Sequence, residues 1–372
     1  MSPSLRFPEF TGEWKEERLS EIADIYKGAG ISKDQLSDNG EPCILYGELY
    51  TKYKTETITE VISRTDIDNT KLVRSKANDV IIPCSGETAE DIATARCVIK
   101  DGILLGGDLN IIRLHNYDGS FVSYQLNGKR KYDIAKVAQG VSVVHLYGEH
   151  LKGVKTVNPY LAEQKKISRF LSLLDERIAV QNRLIDRLQS LMKGIRHRII
   201  NEAKGKIVCL CEVSDIYQPQ TISSDDLTET GYPVYGANGI IGHYTSYNHE
   251  AEQVCITCRG NTCGGVNYTK SKSWITGNAM VVNVDRYQNI VSKRYLYHYL
   301  SNCDFNSIIS GSGQPQIVRA PLAKFKIILP TVMQQYKIAH CLDVIQNKIN
   351  VNSNILNLLI RQKQYLLRKM FI

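Results

Sequence analysis

The chain carries one design twice, and this internal repeat constrains its fold more than any other feature of the sequence. The segment Leu19–Tyr26 (LSEIADIY) matches Leu210–Tyr217 (LCEVSDIY) at a spacing of 191 residues. From Gly140 and Gly311 onward, the copies align at a constant spacing of 171 residues. Because such self-similarity marks repeated structural units, we expect two copies of one architecture.

Each copy begins with a body of mixed character, which spans residues 1–158 in the first copy and 205–329 in the second. Short runs rich in valine and isoleucine, such as Val80–Pro83 and Ala279–Val284, are typical of β-strands. Glycine and asparagine turns and helical stretches separate these runs. We therefore predict a mixed α/β fold for both segments, which are called body one and body two below.

Each copy ends in a segment with a sustained heptad pattern, residues 159–204 and 330–372. Seam positions alternate spacings of four and three residues, which predicts two long coiled-coil helices. Each segment starts at a proline suited to the first helical turn. The seam positions are Ile167, Leu171, Leu174, Ile178, Gln181, Ile185, Leu188, Met192, Ile195 and Ile199 in the first helix, and Ile338, Leu342, Ile345, Ile349, Asn352, Leu356, Leu359, Lys363, Leu366 and Met370 in the second.

One amide side chain lies near the middle of each seam, Gln181 in the first helix and Asn352 in the second. A polar residue at a core position costs stability and is best known as a device that fixes register. An antiparallel pair of helices with centred overlap would bring the two amides face to face. We therefore expect Gln181 and Asn352 to set the register of an antiparallel pair.

These features together resemble the specificity subunits of type I restriction-modification enzymes. The resemblance is carried by the repeated Leu19–Tyr26 motif, by Gly311–Ile317 (GSGQPQI), and by the runs that close on Ile167 and Ile338. It spans the whole chain, and the order of the two copies is more specific than any single motif. The first copy departs from the pattern with Gly140–Leu146 (GVSVVHL), which we interpret as divergence between two recognition loops.

The resemblance implies a fold and a set of partners. It implies two α/β target-recognition domains separated by two long antiparallel coiled-coil helices, each domain reading half of a bipartite site in double-stranded DNA. It also implies that two methyltransferase subunits and further restriction subunits assemble on this chain. S-adenosylmethionine, ATP and Mg²⁺ are then expected on those partner subunits, with no cofactor in this chain.

Charge and hydropathy fit a DNA-binding protein outside the membrane. The formal net charge is +8, and most of the basic excess lies in the two helical segments, which suits nucleic acid but is a weak signal alone. No run approaches 18 apolar residues, and the start of the chain lacks the apolar core of a signal peptide. We expect a cytoplasmic protein without a membrane partner.

The polar loops after strand-like runs supply the candidates for DNA contact, since arginine can fork onto guanine and asparagine or glutamine onto adenine. The alternative for each is an ordinary turn residue, and for the basic run a solvated turn. The candidates are Ser85, Glu87, Thr88, Ser142 and His145 in the first copy, Arg259, Asn261, Thr262, Gln314 and Gln316 in the second, and Lys129, Arg130 and Lys131 for phosphate.

Motifs for catalysis or metal binding are incomplete, so we predict no catalytic residue and no metal site. Asn158-Pro-Tyr160 lacks the second proline of the adenine methyltransferase tetrapeptide, and Glu163-x-Lys165 lacks the Pro-Asp that would complete a nuclease motif. Neither glycine-rich phosphate-binding pattern occurs. Cys255, Cys258 and Cys263 form a tempting cluster, but a structural zinc site wants four ligands, usually in two pairs.

Three functions remain in competition on the sequence alone. The first is a non-catalytic subunit that reads DNA and assembles partners. The second is a fused DNA methyltransferase or nuclease, against which the missing motifs argue. The third is a coiled-coil scaffold without DNA specificity, against which the long, divergent bodies argue.

Overall fold

The computed structural model describes residues 2–68, 70–140, 143–237, 239–311 and 313–372. The chain forms two compact units, one of residues 1–182 with 354–372 and the other of residues 183–353. Each unit thus combines one body with part of each long helix. The sequence pattern divides the chain into four consecutive segments, two bodies and two helices. In the structure each long helix is instead divided between the two units.

Body one holds strands β1 to β13 and helices α1 to α6. Its strands are β1 (Lys15–Arg18), β2 (Ala23–Lys27), β3 (Glu41–Ile44), β4 (Thr57–Ile58), β5 (Ser63–Thr65), β6 (Val73–Arg74), β7 (Asp79–Pro83), β8 (Ser85–Gly86), β9 (Arg96–Val98), β10 (Leu104–Leu105), β11 (Leu109–Leu114), β12 (Val144–His145) and β13 (Lys155–Asn158). Its helices are α1 (Leu19–Ile22), α2 (Glu48–Thr51), α3 (Ala89–Ile92), α4 (Gly119–Asn127), α5 (Lys131–Val137) and α6 (Gly148–Lys152).

In chain order, body two follows the long helix α7 (Leu161–Glu202) and precedes the long helix α11 (Val332–Met370). Its strands are β14 (Lys206–Cys209), β15 (Asp215–Tyr217), β16 (Tyr232–Gly236), β17 (Gly239–Tyr244), β18 (Val254–Thr257), β19 (Val266–Tyr268), β20 (Trp274–Ile275), β21 (Ala279–Asn283), β22 (Ile309–Ser310), β23 (Gln316–Ile317) and β24 (Lys326–Leu329). Its helices are α8 (Leu210–Val213), α9 (Lys293–Leu300) and α10 (Arg319–Ala323).

The two bodies share one sheet topology. Body one has a sheet ordered β2-β11-β7-β9-β4, and body two repeats the first four positions of this sheet as β15-β21-β18-β19. The pairings among these four strands are antiparallel in both bodies. A second sheet runs β5-β3-β10-β6 in body one and β17-β16-β20 in body two. In both, one strand (β3 or β16) pairs antiparallel with one neighbour and parallel with the other. The predicted repetition of a mixed α/β body is confirmed.

A repeated glutamine joins each body to the helix that follows it. The buried Gln164 accepts from the backbone N–H of Asp118 at 2.9 Å and donates to the carbonyl of Pro159 at 2.8 Å. Gln335 makes the same two kinds of bond, to Ser292 at 2.8 Å and Pro330 at 2.9 Å. A buried amide needs such partners, and this explains why the glutamine recurs in both copies.

The predicted seams of the two long helices are buried. All twenty seam positions are buried or half-buried, whereas most positions between them are exposed. In the first unit the start of α7, with Ile167 and Leu171, shares a core with Leu359 and Leu366 near the end of α11. In the second unit the end of α7 shares a core with the start of α11.

The two helices therefore run antiparallel, as predicted.

Within the described parts of the chain, no helix has an apolar stretch long enough to cross a membrane.

The two seam amides lie in different units, Gln181 in the first and Asn352 in the second. Asn352 is buried and donates to the carbonyl of Lys348 on its own helix at 2.7 Å. Their pairing with each other stays a prediction.

That pairing has a direct test. If the amides oppose each other, Gln181→Leu should destabilise the protein by roughly 1–3 kcal/mol, because Asn352 would lose one of its hydrogen bonds and face an apolar side chain. The double change Gln181→Leu with Asn352→Leu should recover much of this loss. Urea unfolding of the three variants measures the effect, and a double variant no more stable than the singles would show that the amides do not pair.

Candidate DNA interface

In body one the structure brings Ser85 and His145 together, although 60 residues separate them in the chain. They are direct partners across the short β8–β12 pairing. The backbone N–H of Leu146 also donates to the carbonyl of Cys84 at 2.8 Å. Two candidate loops are thus fixed side by side at the end of the β7 strand.

Body two repeats this arrangement with different side chains. Arg259 and Gln316 are partners in an isolated antiparallel bridge. The backbone N–H of Ile317 donates to the carbonyl of Cys258 at 3.0 Å, as Leu146 does to Cys84 in body one. The same frame therefore presents serine and histidine in one body, and arginine and glutamine in the other.

Two further features show that the frame itself is conserved between the bodies. The backbone N–H of Cys84 donates to the carbonyl of Asp108 at 2.7 Å, and that of Cys258 donates to Asn278 at 2.9 Å. Gly140 and Gly311 open the second loop of each pair with φ of 120° and 93°. A Cβ at either position would clash with the carbonyl oxygen three residues later, so only glycine fits there.

The side chains of body one form a small polar cluster. Ser85 is buried, and its hydroxyl donates to Asp108 at 3.3 Å; Lys27 lies 3.9 Å from the same carboxylate. The exposed ring of His145 stacks at 6.2 Å on that of Tyr147. His145, Lys27 and Tyr147 are exposed to solvent, so they are the groups of this cluster that a ligand can reach.

The candidates of body two are all exposed: Arg259, Asn261, Thr262, Gln314 and Gln316. The hydroxyl of Thr262 donates to the carbonyl of Ala237 at 3.0 Å. Gln218 is exposed beside this loop, and its amide donates to Gly277 and contacts the sulfur of Cys258 at 3.6 Å. This surface offers donors and acceptors of the kind that read base edges.

Sequence reasoning missed four of these residues: Lys27, Asp108, Tyr147 and Gln218. Lys27 and Gln218 each come directly after the repeated motif, which ends at Tyr26 in the first copy and at Tyr217 in the second. The position after a shared motif, occupied by different polar residues in two copies, was therefore a usable signal. Asp108 and Tyr147 carry no comparable mark, because only the folded chain places them beside Ser85 and His145.

The other candidates of the first copy lie elsewhere or have structural roles. Thr88 caps α3, since its hydroxyl accepts from the N–H of Asp91 at 3.1 Å, while the exposed Glu87 precedes it. This favours the turn interpretation for Thr88. Ser142 lies outside the described residues.

The basic run is separated from the Ser85–His145 pair. Lys129, Arg130 and Lys131 lie at the start of α5, whereas the loop that carries His145 follows its end. Seven helical residues span about 10 Å. Lys129 is exposed, and Arg130 pairs with Asp133 at 3.4 Å, so Lys129 is the residue of this run best placed to contact a phosphate.

The three cysteines of the Cys255–Cys263 cluster are free thiols, and two of them are buried. Cys255 and Cys258 are buried, and burial raises the pKa of Cys255 to about 12 and also raises that of Cys258. Among the described residues, no three histidine, cysteine or acidic side chains are grouped so that they could hold a metal ion.

One residue of each incomplete catalytic motif is buried in a hydrogen-bonding network of the fold. Glu163 is buried and accepts two bonds of 2.7 Å from the guanidinium of Arg6, with the indole N–H of Trp14 at 3.3 Å. Asn158 is buried at the end of β13 and donates to Glu17 at 3.1 Å. Glu163 thus ties the start of α7 to body one, and Asn158 ties β13 to β1 within body one.

Comparison with known proteins places this chain in a family. The family model of the type I restriction modification DNA specificity domain matches residues 11–190 and 203–361, once in each copy. The chain belongs to that family. The expected resemblance is therefore confirmed at the level of the family and of the fold.

Individual relatives agree with this assignment. The EcoprrI type I restriction enzyme specificity subunit of Escherichia coli is 31% identical over 148 residues, which is 38% of this chain and 36% of that protein. The MjaVIII specificity subunit of Methanocaldococcus jannaschii is 22% identical over 93% of this chain and 88% of its own length. The S subunit structure from M. genitalium matches with a TM-score of 0.73 at 18% identity, covering 100% of this chain and 99% of that one.

Proposed function

We propose that this chain is the non-catalytic subunit of a type I restriction-modification complex that reads a bipartite DNA sequence. One observation carries the proposal: a single backbone frame occurs twice and presents different polar side chains in the two bodies. Side chains read base edges, whereas the backbone only positions them. Two frames with different side chains therefore suit two different half-sites.

The exposed groups of each frame suit particular bases. In body two, Arg259 can donate a forked pair of bonds to guanine, and Gln314 or Gln316 can pair with adenine. In body one, His145 and Lys27 supply donors, and Tyr147 supplies an apolar face beside them. The two bodies thus differ in the base contacts that they can make while sharing the way in which they present them.

The long helices would set the distance between the two half-sites. Helices of about 40 residues extend about 60 Å at 1.5 Å per residue. Half-sites read from a similar face of the duplex lie about one helical turn apart, roughly 34–36 Å between centres. A rigid pair of helices can hold two readers at such a separation, and this is the role that we assign to α7 and α11.

Each long helix also carries a second apolar stripe, on a face away from the seam. In α7 it includes Leu173, Val180 and Leu184, all exposed. In α11 the residues 171 positions later, Val344, Val351 and Ile355, are likewise exposed and apolar. Spacings of seven and four residues suit packing against another helix, and two equivalent stripes suit two copies of one partner.

We assign these stripes to two methyltransferase subunits, with restriction subunits joining the complex. Any S-adenosylmethionine, ATP and Mg²⁺ that the complex uses would then bind those partners, and the assembly would act on double-stranded DNA in the cytoplasm. The alternatives, a fused enzyme or a scaffold without DNA specificity, have no comparable support: the catalytic motifs are incomplete, and the matching family is a DNA specificity domain.

The proposal predicts that single substitutions alter one half-site at a time. Arg259→Ala should relax recognition at one position of the half-site read by body two, by about 1–3 kcal/mol of discrimination. His145→Ala should affect only the other half-site. Methylome sequencing of a host that carries the complete system with each variant measures both effects.

Lys129→Ala provides the matched control, since Lys129 is a candidate for phosphate contact. It should weaken binding to all sequences equally and lower the salt dependence of binding by about one unit of log–log slope. The methylated motif should stay unchanged. If Arg259→Ala relaxed both half-sites, or if neither variant relaxed any position, the proposed reading surfaces would be wrong.

A further inference from the structure

The polar reading surface of body two adjoins an exposed apolar hairpin. Strands β16 and β17 pair antiparallel as far as Gly236 and Gly239, and Asn238 lies outside the described residues. Ile240 and Ile241 follow Gly239, with 46% and 44% of their surfaces exposed. A single exposed isoleucine needs no explanation, but two in succession at a hairpin tip leave apolar surface that a partner would cover.

The tip is tied to the loop that carries Arg259. The carbonyl oxygen of Ala237 accepts one bond from the hydroxyl of Thr257 at 2.7 Å and another from Thr262 at 3.0 Å. Thr257 ends β18, and Thr262 lies three residues after Arg259. Both bonds fix the hairpin beside the polar groups, so that whatever occupies the Arg259 surface lies close to the two isoleucines.

Body one carries an exposed isoleucine at the matching place. Pro42 pairs with Arg64 in β3–β5, and its repeat counterpart Pro233 pairs with His243 in β16–β17. Counted along the chain, Ile62 and Ile241 each stand two residues before these partners, although an irregularity in the β16–β17 register pairs Ile240, and not Ile241, with Tyr235. Ile62 is 60% exposed, so both bodies present an exposed isoleucine close to this point of the sheet.

We propose that the β16–β17 hairpin is a second reading element of body two, in which Ile240 and Ile241 contact thymine methyl groups. This inference rests on the proposed function and extends it. In the major groove each base pair shows hydrogen-bonding groups and, for thymine, a methyl group that only an apolar side chain can read. The polar loop supplies the first kind of contact, and the hairpin beside it supplies the second. The half-site of body two then includes an A·T pair.

The test removes the methyl group alone. The full chain, assembled with its methyltransferase subunits, is titrated with duplexes in which each thymine of that half-site is replaced in turn by deoxyuridine. Loss of one buried methyl group should weaken binding about fourfold at the position that the hairpin reaches. The variant carrying Ile240→Ser and Ile241→Ser should bind the thymine duplex more weakly and bind both duplexes equally well.

Ile207→Ser is the matched control, because Ile207 is 70% exposed on β14 of the same body. It should keep the preference for thymine over deoxyuridine. A half-site without an A·T pair, a wild-type complex indifferent to every replacement, or a double-serine variant that keeps the preference would each overturn the inference. So would a variant that only loses its methyltransferase subunit, since the hairpin would then contact protein.

Failure of the proposed function looks different. In that case the wild-type complex would show no preference for any bipartite sequence, and duplexes with thymine or deoxyuridine would be bound as weakly as unrelated DNA.

Discussion

Replacing Lys363 by methionine should destabilise the first unit by about 3–5 kcal/mol, the usual cost of leaving buried charges without their partner. Lys363 occupies a seam position of α11, where only a small part of its side chain is exposed. Its ammonium lies 2.7 Å from the carboxylate of Glu56 and 2.6 Å from that of Asp175. Both carboxylates are buried. Lys363 contacts each of them directly, and the charge of the buried Arg96 also acts on both.

The surroundings confirm that the cluster acts as a unit. The hydroxyl of Tyr124 donates to Asp175 at 2.6 Å, and the ammonium of Lys363 lies 5.5 Å from the centre of the same ring. Burial would lower the pKa of Lys363, but Glu56 and Asp175 outweigh it and raise that pKa. Burial would likewise raise the pKa of Glu56, and Lys363 reverses the shift. The pKa of Asp175, by contrast, is raised, by burial and by the neighbouring carboxylate of Glu56. The ion pair therefore stabilises the charged forms of Lys363 and Glu56 more than that of Asp175.

Methionine is an informative replacement because α7 has methionine at the equivalent seam position. Met192 stands at the seam position 171 residues before Lys363 and is buried in the apolar core of the second unit. Methionine therefore suits the helix and the seam. Any loss of stability on Lys363→Met comes from the carboxylates that it leaves unpaired.

Thermal unfolding of the full chain measures the effect, which should appear as a fall in Tm of roughly 10 °C. Arg361→Met is the control, since Arg361 is exposed on the same helix and its loss should change little. Adding Glu56→Gln and Asp175→Asn to Lys363→Met should restore much of the stability. Equal stability of the Lys363 and Arg361 variants would mean that the ion cluster does not hold body one to the helix.

This ion cluster could be predicted only in part from the sequence. The seam, including Lys363, could be predicted because heptad spacing is a local pattern, and the repeat gave the same pattern twice. The partner Glu56 lies 307 residues away in the chain, and nothing in the spacing of either segment connects them. Charge compensation across such a separation depends on tertiary packing, which the sequence pattern does not encode visibly.

The candidate site divides in the same way. The loops that contain Ser85, His145, Arg259 and Gln316 could be found because they follow strand-like runs and lie near repeat glycines. Their pairing across short strands could not be found, since two-residue strands leave no periodicity. The position of Thr88 in a polar loop after a strand-like run predicts a DNA contact, whereas its place before α3 makes it a helix cap, a role that the same residue type performs equally well.

Exchange of body two should have the largest effect on function. Replacing residues 206–329 with the corresponding body of a relative should change one half-site completely and leave the other half-site and the spacing unchanged. The structure makes this segment a natural cassette, because β14 at its start pairs antiparallel with β24 at its end, from Lys206 with Leu329 to Cys209 with Lys326. Both ends of the graft therefore lie side by side.

The graft must keep the contacts that hold body two on its helix. Arg294 donates to Asp343 of α11 at 2.9 Å, and the buried His298 contacts the same carboxylate at 2.8 Å. Burial lowers the pKa of His298 to about 4, so at neutral pH an uncharged imidazole donates this bond. A donor body should thus retain arginine and histidine at these two positions.

Two grafts separate recognition from attachment. The first keeps Arg294 and His298, and methylome sequencing should then show a new half-site on one side only. The second carries the same donor body with Arg294→Ala and His298→Ala, which leaves Asp343 unpaired and should lower the stability of the second unit without creating a third specificity. If the first graft altered both half-sites or the spacing between them, the bodies would not read DNA independently. The proposal that the bodies read the half-sites while the helices set their spacing would then be wrong.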